Sequence, residues 1–340
     1  MPSYFKPKIT FLLLAILSAF STILLTSCTS SEKPKLTIAI SPWPGYEPLA
    51  LALHKGFYQD IEVRIVRFAT PIESYRALRD GLVDVAAFTA DEALHYAGLN
   101  RKPKIFHILD VSHGGDSIVA HPNIKNLDDL KGKRVGVENS TLSNYLIHRA
   151  MDFSQNNLSP IKDFTLIPIE IGQHAKAYKE GVVDALVTYE PSKTKVMQLG
   201  AHEIFNSSQI PFEVIDILIT NENVLIEKKA ALQTLIKAWY RAIEWIKQNP
   251  DEAFTWMAQQ EGLTAEEFKK AYNTMLIPTQ QEVSQMLGQG EDSLVPVLNR
   301  LVKLMVKNGG LSKPIKVEPL LVSPLSLMKP SNLEEENHAD

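Results

Sequence analysis

The chain has 340 residues, 45% of them hydrophobic and 22% charged, with a formal net charge of −4. That is apolar mass for more than one core, since single cores stop growing near roughly 250–300 residues. The near-balance of charge excludes a strongly basic nucleic-acid-binding surface, and the composition excludes collagen, coiled coil and a polytopic membrane protein.

The first element reads as a targeting segment. Lys6 and Lys8 precede an apolar run from Ile9 to Leu25, and "LLTSC" closes it at Cys28. This predicts a signal peptide over 1–27. Cys28 is the only cysteine, so no internal disulfide can form. Its position predicts lipidation of a new N-terminus, with a polar tether over 28–35.

Beyond the tether, strand and helix signals alternate. "LTIAI" and the alternating "IEVRIVRF" read as strands. Between them "YEPLALALHKGFY" reads as a helix stopped at Gly56. "TPIESYRALRDG" opens a helix with Thr70 and Glu73 as a capping box and Pro71 at its first position. "LVDVAAF" is the third strand. The order then repeats: "KRVGV", a helix from Ser140 or Thr141, "FTLIPIEI", the helix "HAKAYKEG" and the strand "VVDALVTY". "ALRDGLVDVAAFTAD" and "AYKEGVVDALVTYEP" match at a fixed offset, with Ala77 and Ala177, Gly81 and Gly181, Val83 and Val183, and Asp84 and Asp184 in register. Each half reads βαβαβ, which predicts two α/β lobes with parallel sheets. Ligands of open α/β sheets gather at strand carboxyl ends, so two facing lobes would share one cleft. After Thr220 the pattern turns helical, and the four tryptophans include Trp239, Trp245 and Trp256 at core-packing spacing. The proline-bearing tail over 316–340 is expected to be disordered.

These motifs resemble those of substrate-binding proteins of bacterial ABC importers, in the branch serving nitrate, sulfonates, taurine and thiamine-precursor pyrimidines. The resemblance runs from about Leu36 to Gly310. It rests on the lipobox-like Leu25-Thr26-Ser27-Cys28, "SPWPGYEPLALALHKGFY", "GLVDVAAFTADEAL", "DLKGKRVGVENSTLSNYL" and "GVVDALVTYEP". It implies the periplasmic-binding-protein type II fold: two lobes, two hinge crossovers and a helical C-terminal part on lobe one. Lobe one would then be 36–113 plus 212–315, and lobe two 114–211, with Gly114 and Gly115 as hinge. The resemblance further implies separate permease and ATPase partners, a monomer, and anchoring to a membrane through lipid on Cys28.

Candidate ligand residues lie in the loops after strands. Trp43 can offer an aromatic wall. Gly45 and Tyr46 stand where a helix begins and exposes amide groups. Ser140 and Thr141 open the equivalent helix, where hydroxyls and amides suit an anion, and the resemblance places ligand there. Thr89 and Asp91 are candidates after the third strand, where Thr89 and Glu92 also read as a capping box. Asp116 and Glu190 lie near the crossover and in "YEP". These loops carry Glu47, Asp91, Asp116, Glu138 and Glu190 but no arginine or lysine. Desolvated carboxylates would repel a simple anion. The expected ligand is therefore zwitterionic, cationic or a neutral heteroaromatic. The sequence has no zincin spacing, nucleophile elbow or Walker loop, so no metal, cofactor or catalysis is expected. Two alternatives stay open: a pyrimidine synthase-like enzyme on the same fold, and a ligand-sensing partner of a membrane receptor.

Overall fold

The computed structural model describes residues 33–290, 292–324 and 327. The expected signal peptide and Cys28 lie outside the described residues. Two sheets organise the rest. The first contains β1 (Lys35–Ile40), β2 (Glu62–Arg67), β3 (Val85–Thr89), β4 (Lys104–Ser112), β10 (Ile215–Thr220) and β11 (Met275–Leu276), in the order β11-β4-β10-β3-β1-β2. The second contains β5 (Asp116–Ala120), β6 (Arg134–Val137), β7 (Thr165–Pro168), β8 (Ala185–Tyr189) and β9 (His202–Asn206), in the order β7-β6-β8-β5-β9. The chain crosses between sheets twice, after β4 and before β10. This is the periplasmic-binding-protein type II arrangement.

Both sheets are mixed, which corrects the expectation of parallel sheets. β1 pairs in parallel with β2 and β3, but β10 enters antiparallel between β3 and β4. In the second sheet β5 sits antiparallel between β8 and β9. The sequence repeat covers only the parallel βαβαβ part of each sheet. The antiparallel strand of each sheet, β10 in the first and β5 in the second, is the one the chain enters on crossing from the other sheet.

The helices are α1 (Glu47–His54), α2 (Pro71–Arg79), α3 (Ala90–Gly98), α4 (Thr141–Met151), α5 (His174–Lys179) and α6 (Ser192–Met197) within the two sheet units. After β10 come α7 (Glu222–Glu227), α8 (Lys229–Gln248), α9 (Pro250–Glu261), α10 (Ala265–Tyr272), α11 (Gln280–Met286) and α12 (Val295–Lys307). α8 packs on α1 and α9, so the helical part covers the first sheet. It buries Leu232, Leu235, Trp239 and Ile246, each worth roughly 1.5–3 kcal/mol of transfer energy. Among the described residues no helix is long and apolar enough to cross a membrane.

The repeat is a pair of identical clamps. Gly81 and Gly181 end their helices at φ +70° and +68°, a left-handed cap that a side chain would strain. Three residues on, Asp84 Oδ2 accepts the Thr37 N–H at 2.8 Å, and Asp184 Oδ2 accepts the Arg134 N–H at 2.8 Å. Each aspartate thus ties the turn before β3 or β8 to the neighbouring strand, β1 or β6. The same motif sets the register Ile38↔Val85 and Val135↔Ala185.

The stretch beyond 316 is not wholly unstructured, contrary to expectation. Val317, Leu320 and Val322 are buried, a single 3₁₀ turn spans Glu318–Leu320, and Leu321 bridges Ile105 at the edge of β4. Alternating apolar residues there cover strand surface that composition alone does not reveal.

Candidate functional site

The carboxyl ends of β1, β3, β6 and β8 converge on one chamber between the sheets. It is lined by Ser41, Trp43 and Tyr46 from the loop after β1, Thr89 and Glu92 at the start of α3, and Asp216 from β10. Asp116 of β5, Glu138 and Ser140 before α4, and Tyr189 at the end of β8 complete it from the other sheet. The free volume is only about 20 Å³, room for a guest of about water size. Trp43 and Tyr189, edge to face with centroids 6.3 Å apart, fill much of the gap. A second space of about 290 Å³ adjoins the chamber, sharing Pro71, Glu92 and Ser140 and adding Tyr75, Arg76, Arg79, His95 and Thr141.

The chamber is rich in acids, and no lysine, arginine or histidine lines it. Asp116 Oδ2 and Glu138 Oε1 are buried without a hydrogen-bond donor. Burial pushes the Asp116 carboxyl up to about 7. It does the same for Glu138, whose other oxygen accepts the Tyr189 hydroxyl at 3.2 Å. Glu92 rises to about 8 through burial and the nearby Asp91 charge. Asp216 and Asp110 are cross-strand partners on β10 and β4. Tyr46 O–H donates to Asp216 Oδ1 at 2.5 Å, and Trp43 Nε1–H donates to Asp110 Oδ2 at 3.1 Å. Burial and then the Asp110 charge push Asp216 well up, and the two carboxyls lie within hydrogen-bond reach of each other. The nearby cation is spent: Lys193 Nζ donates to the Gly114 carbonyl at 2.6 Å and pairs with Glu203 at 2.5 Å. Buried carboxyl oxygens lacking donors favour a guest that brings positive charge and N–H groups. Among the described residues no group of three or more His, Cys, Asp or Glu is arranged to hold a metal ion.

A family model described as NMT1/THI5 like matches residues 43–253, which take in the second sheet, four strands of the first and most of the chamber's lining. The chain belongs to the NMT1/THI5-like family. No curated protein matches it. Among solved structures, this NMT1/THI5-like chain is similar to the alkanesulfonate-binding protein SsuA from Xanthomonas axonopodis pv. citri bound to MOPS. The TM-score is 0.73 at 16% identity, over 86% of this chain and 100% of that one. The periplasmic aliphatic sulphonate binding protein SsuA from Escherichia coli gives 0.70 at 17% identity, over 88% and 95%. The desulfurization enzyme DSZB gives 0.65 at 16% identity, over 90% and 100%. At such identities the likeness is one of fold, and binding proteins and an enzyme share it.

The NMT1/THI5-like chain brings together Trp43, Tyr46, Thr89, Asp116 and Ser140 at the chamber, while Thr141 lines the adjoining space. It places other expected residues elsewhere. Gly45 does not line the chamber: a Cβ there would overlap Asp110 Oδ2 and approach Trp43 Nε1 to 2.6 Å. The Tyr46 N–H is taken by the Trp43 carbonyl at 2.9 Å, so it offers no free amide. Asp91 is buried, lines neither space, and its Oδ2 lacks a donor. Glu190 Oε2 accepts the Thr194 N–H at 3.0 Å at the start of α6. Glu47 is paired with Arg67 of β2 at 2.5 and 2.7 Å, away from the cleft. Ser140 Oγ accepts the Ser143 N–H at 3.1 Å, a helix cap beside acids rather than an anion cradle. Gly114 and Gly115 lie at the first crossover. Gly114 has φ +112°, and a Cβ on Gly115 would sit 2.6 Å from Trp43 Cη2. Glu92 both caps, accepting the Thr89 N–H at 3.0 Å, and lines the chamber. Sequence reasoning missed Asp110, Tyr189 and Asp216. An acid alone inside an apolar run, as in "FHILDV" and "EVIDILIT", is the signal that marks two of them.

Proposed function

We propose that this protein is an extracytoplasmic solute-binding protein that captures a small cationic molecule between its two sheet units and delivers it to an ABC import permease. The observation that carries the cationic reading is the pair of buried carboxyl oxygens without donors at Asp116 and Glu138, in a chamber that no basic side chain lines. A sulfonate placed there would meet uncompensated negative charge in a low-dielectric site. The fold shared with the two sulfonate-binding proteins supports the binding-protein role, and their own ligands do not carry over at 16–17% identity.

In this reading the lobes are 36–113 with 212–315, and 114–211. Gly114, Gly115 and the second crossover act as hinges, and contacts from both lobes favour the closed state once ligand is held. The tetrad ending at Cys28 supports a lipid anchor holding the mature protein at the membrane surface. A thermal-shift screen tests the ligand class, because a binder of the native state raises the melting temperature. Alkylamines and amino-heteroaromatics are expected to raise it and alkanesulfonates to leave it unchanged; the reverse pattern sinks the reading. The similarity to DSZB favours a second reading, an enzyme on the same fold, which recovery of a chemically altered ligand would support.

A further inference from the structure

The chamber discriminates more finely than by charge. Its free volume of about 20 Å³ is that of a water-sized guest. Two of its wall residues carry a carboxyl oxygen that lacks a donor, Asp116 Oδ2 and Glu138 Oε1, whereas Asp216 is engaged by Tyr46 and Asp110. The two come from β5 and from the loop after β6. The two aromatic rings do not form a parallel box. Trp43 and Tyr189 meet edge to face at 65°, and Trp43 Nε1–H is held by Asp110. Such a site asks for a small guest with N–H donors for both oxygens, rather than for a bulky cation lodged against ring faces.

Resting on the cationic reading above, we infer that the ligand presents a primary ammonium group to the inner chamber and leaves its body in the adjoining space of about 290 Å³. A primary ammonium is close to water in size and supplies three N–H donors, enough for both orphaned oxygens. A trimethylammonium head carries the same charge, donates nothing and exceeds the space. The oxygens would then stay unsatisfied and buried, which is the costly outcome. A hydroxyl fits by size but brings one donor and no charge. The outer space holds Tyr75, Ile72 and Phe88, against which a short apolar body can lie, and its wall also carries Arg76, Arg79 and His95, which disfavour a second positive charge there.

The test is calorimetry on the full chain with four probes of one body length: propylammonium, propyltrimethylammonium, propanol and propanesulfonate. Propylammonium is expected to bind at least about tenfold more tightly than propyltrimethylammonium, with propanol weaker still. Equal or tighter binding of the trimethyl compound, or of propanol, overturns this inference while leaving a cation- or solute-binding role standing. Binding of propanesulfonate with none of either cation overturns the cationic reading itself. Absence of binding by all four at millimolar concentration overturns the inference too. Glu138→Gln and Asp116→Asn separate recognition from folding. Each is expected to keep or raise the melting temperature, because a buried acid becomes a neutral amide, and to weaken propylammonium at least about tenfold. Unchanged affinity in both variants counts against the assignment.

Discussion

Asp116 and Glu138 show what burial does to a carboxyl at the scale of one residue. Both are pushed up to about 7 by desolvation. Below that pH the empty chamber holds protons that a cation must displace. Cation affinity should therefore rise with pH between about 6 and 8, by up to tenfold per unit for each proton displaced, and level off above. A pH-independent dissociation constant for propylammonium over this range rules out that coupling. Stability of the unliganded protein should run the opposite way. The folded pKa lies above the unfolded value near 4, so the native state keeps protons that the unfolded chain releases. That contribution is fully present below the unfolded pKa and is lost as pH rises through about 7. Urea titrations should show stability falling over this interval, with a shallower slope in Asp116→Asn. Gly115 makes a different point, one of space. A Cβ there meets Trp43 Cη2 at 2.6 Å and Thr274 Oγ1 at 3.1 Å. Gly115→Ala should therefore cost about 1–3 kcal/mol in chemical denaturation and weaken ligand, since the Trp43 ring must leave its bond to Asp110. Wild-type stability in that variant would show that the ring has room to move.

At the scale of elements, the repeated Gly-x-x-Asp turn explains both sheets and makes unequal predictions for them. Asp84 serves Thr37 N–H and also pairs with Lys228 at 2.7 Å, joining the first sheet to the start of α8. Asp184 serves only Arg134, through its backbone and guanidinium, on a more exposed edge. Asp84→Ala should cost about 2–3 kcal/mol and Asp184→Ala about 1 kcal/mol, because both remove charge-assisted bonds but the Asp184–Arg134 pair is the more exposed to water. Equal losses by urea denaturation would mean that the Lys228 link adds nothing. The helix starts were legible for the same local reason: the Thr70–Glu73 capping box is formed as the spacing implies, with Glu73 N–H on Thr70 Oγ1 at 3.4 Å. The pairing of the strands after each crossover was not legible. β5 and β10 owe their antiparallel places to partners far away in the chain, such as Asp116↔Tyr189 and Asp216↔Thr89, and no local periodicity carries that information. The same distance hid Asp110 and Asp216 from the site and let Glu47 into it, since its neutralising partner Arg67 stands on a different strand.

For the molecule as a whole, the question is what holds the two sheet units together before a ligand does. The second crossover carries a charged knot. Glu213, just before β10, accepts from Arg149 Nε at 2.9 Å and from Tyr145 O–H on α4, and lies 3.7 Å from Arg300 of α12. α4 belongs to the second sheet unit, while α12 packs on α3 of the first. One buried carboxylate thus joins helices of both units at the hinge, and α3 meets α4 across the cleft. Glu213→Gln keeps the shape and removes the charge that lets Arg149 and Arg300 sit close. The two guanidiniums then repel, and the arrangement seen here loses part of its advantage over an opened one. The variant should give a larger radius of gyration by small-angle scattering without ligand, and a dissociation constant a few-fold weaker, because ligand must now supply the closing energy that Glu213 had supplied. Saturating ligand should restore the compact profile. If the radius stays at the wild-type value while affinity falls, Glu213 acts on the chamber through α4 alone, and the knot is not a closure device. If neither changes, the compact arrangement is set by the packing of α3 on α4 and by the crowded aromatic pair Trp43 and Tyr189.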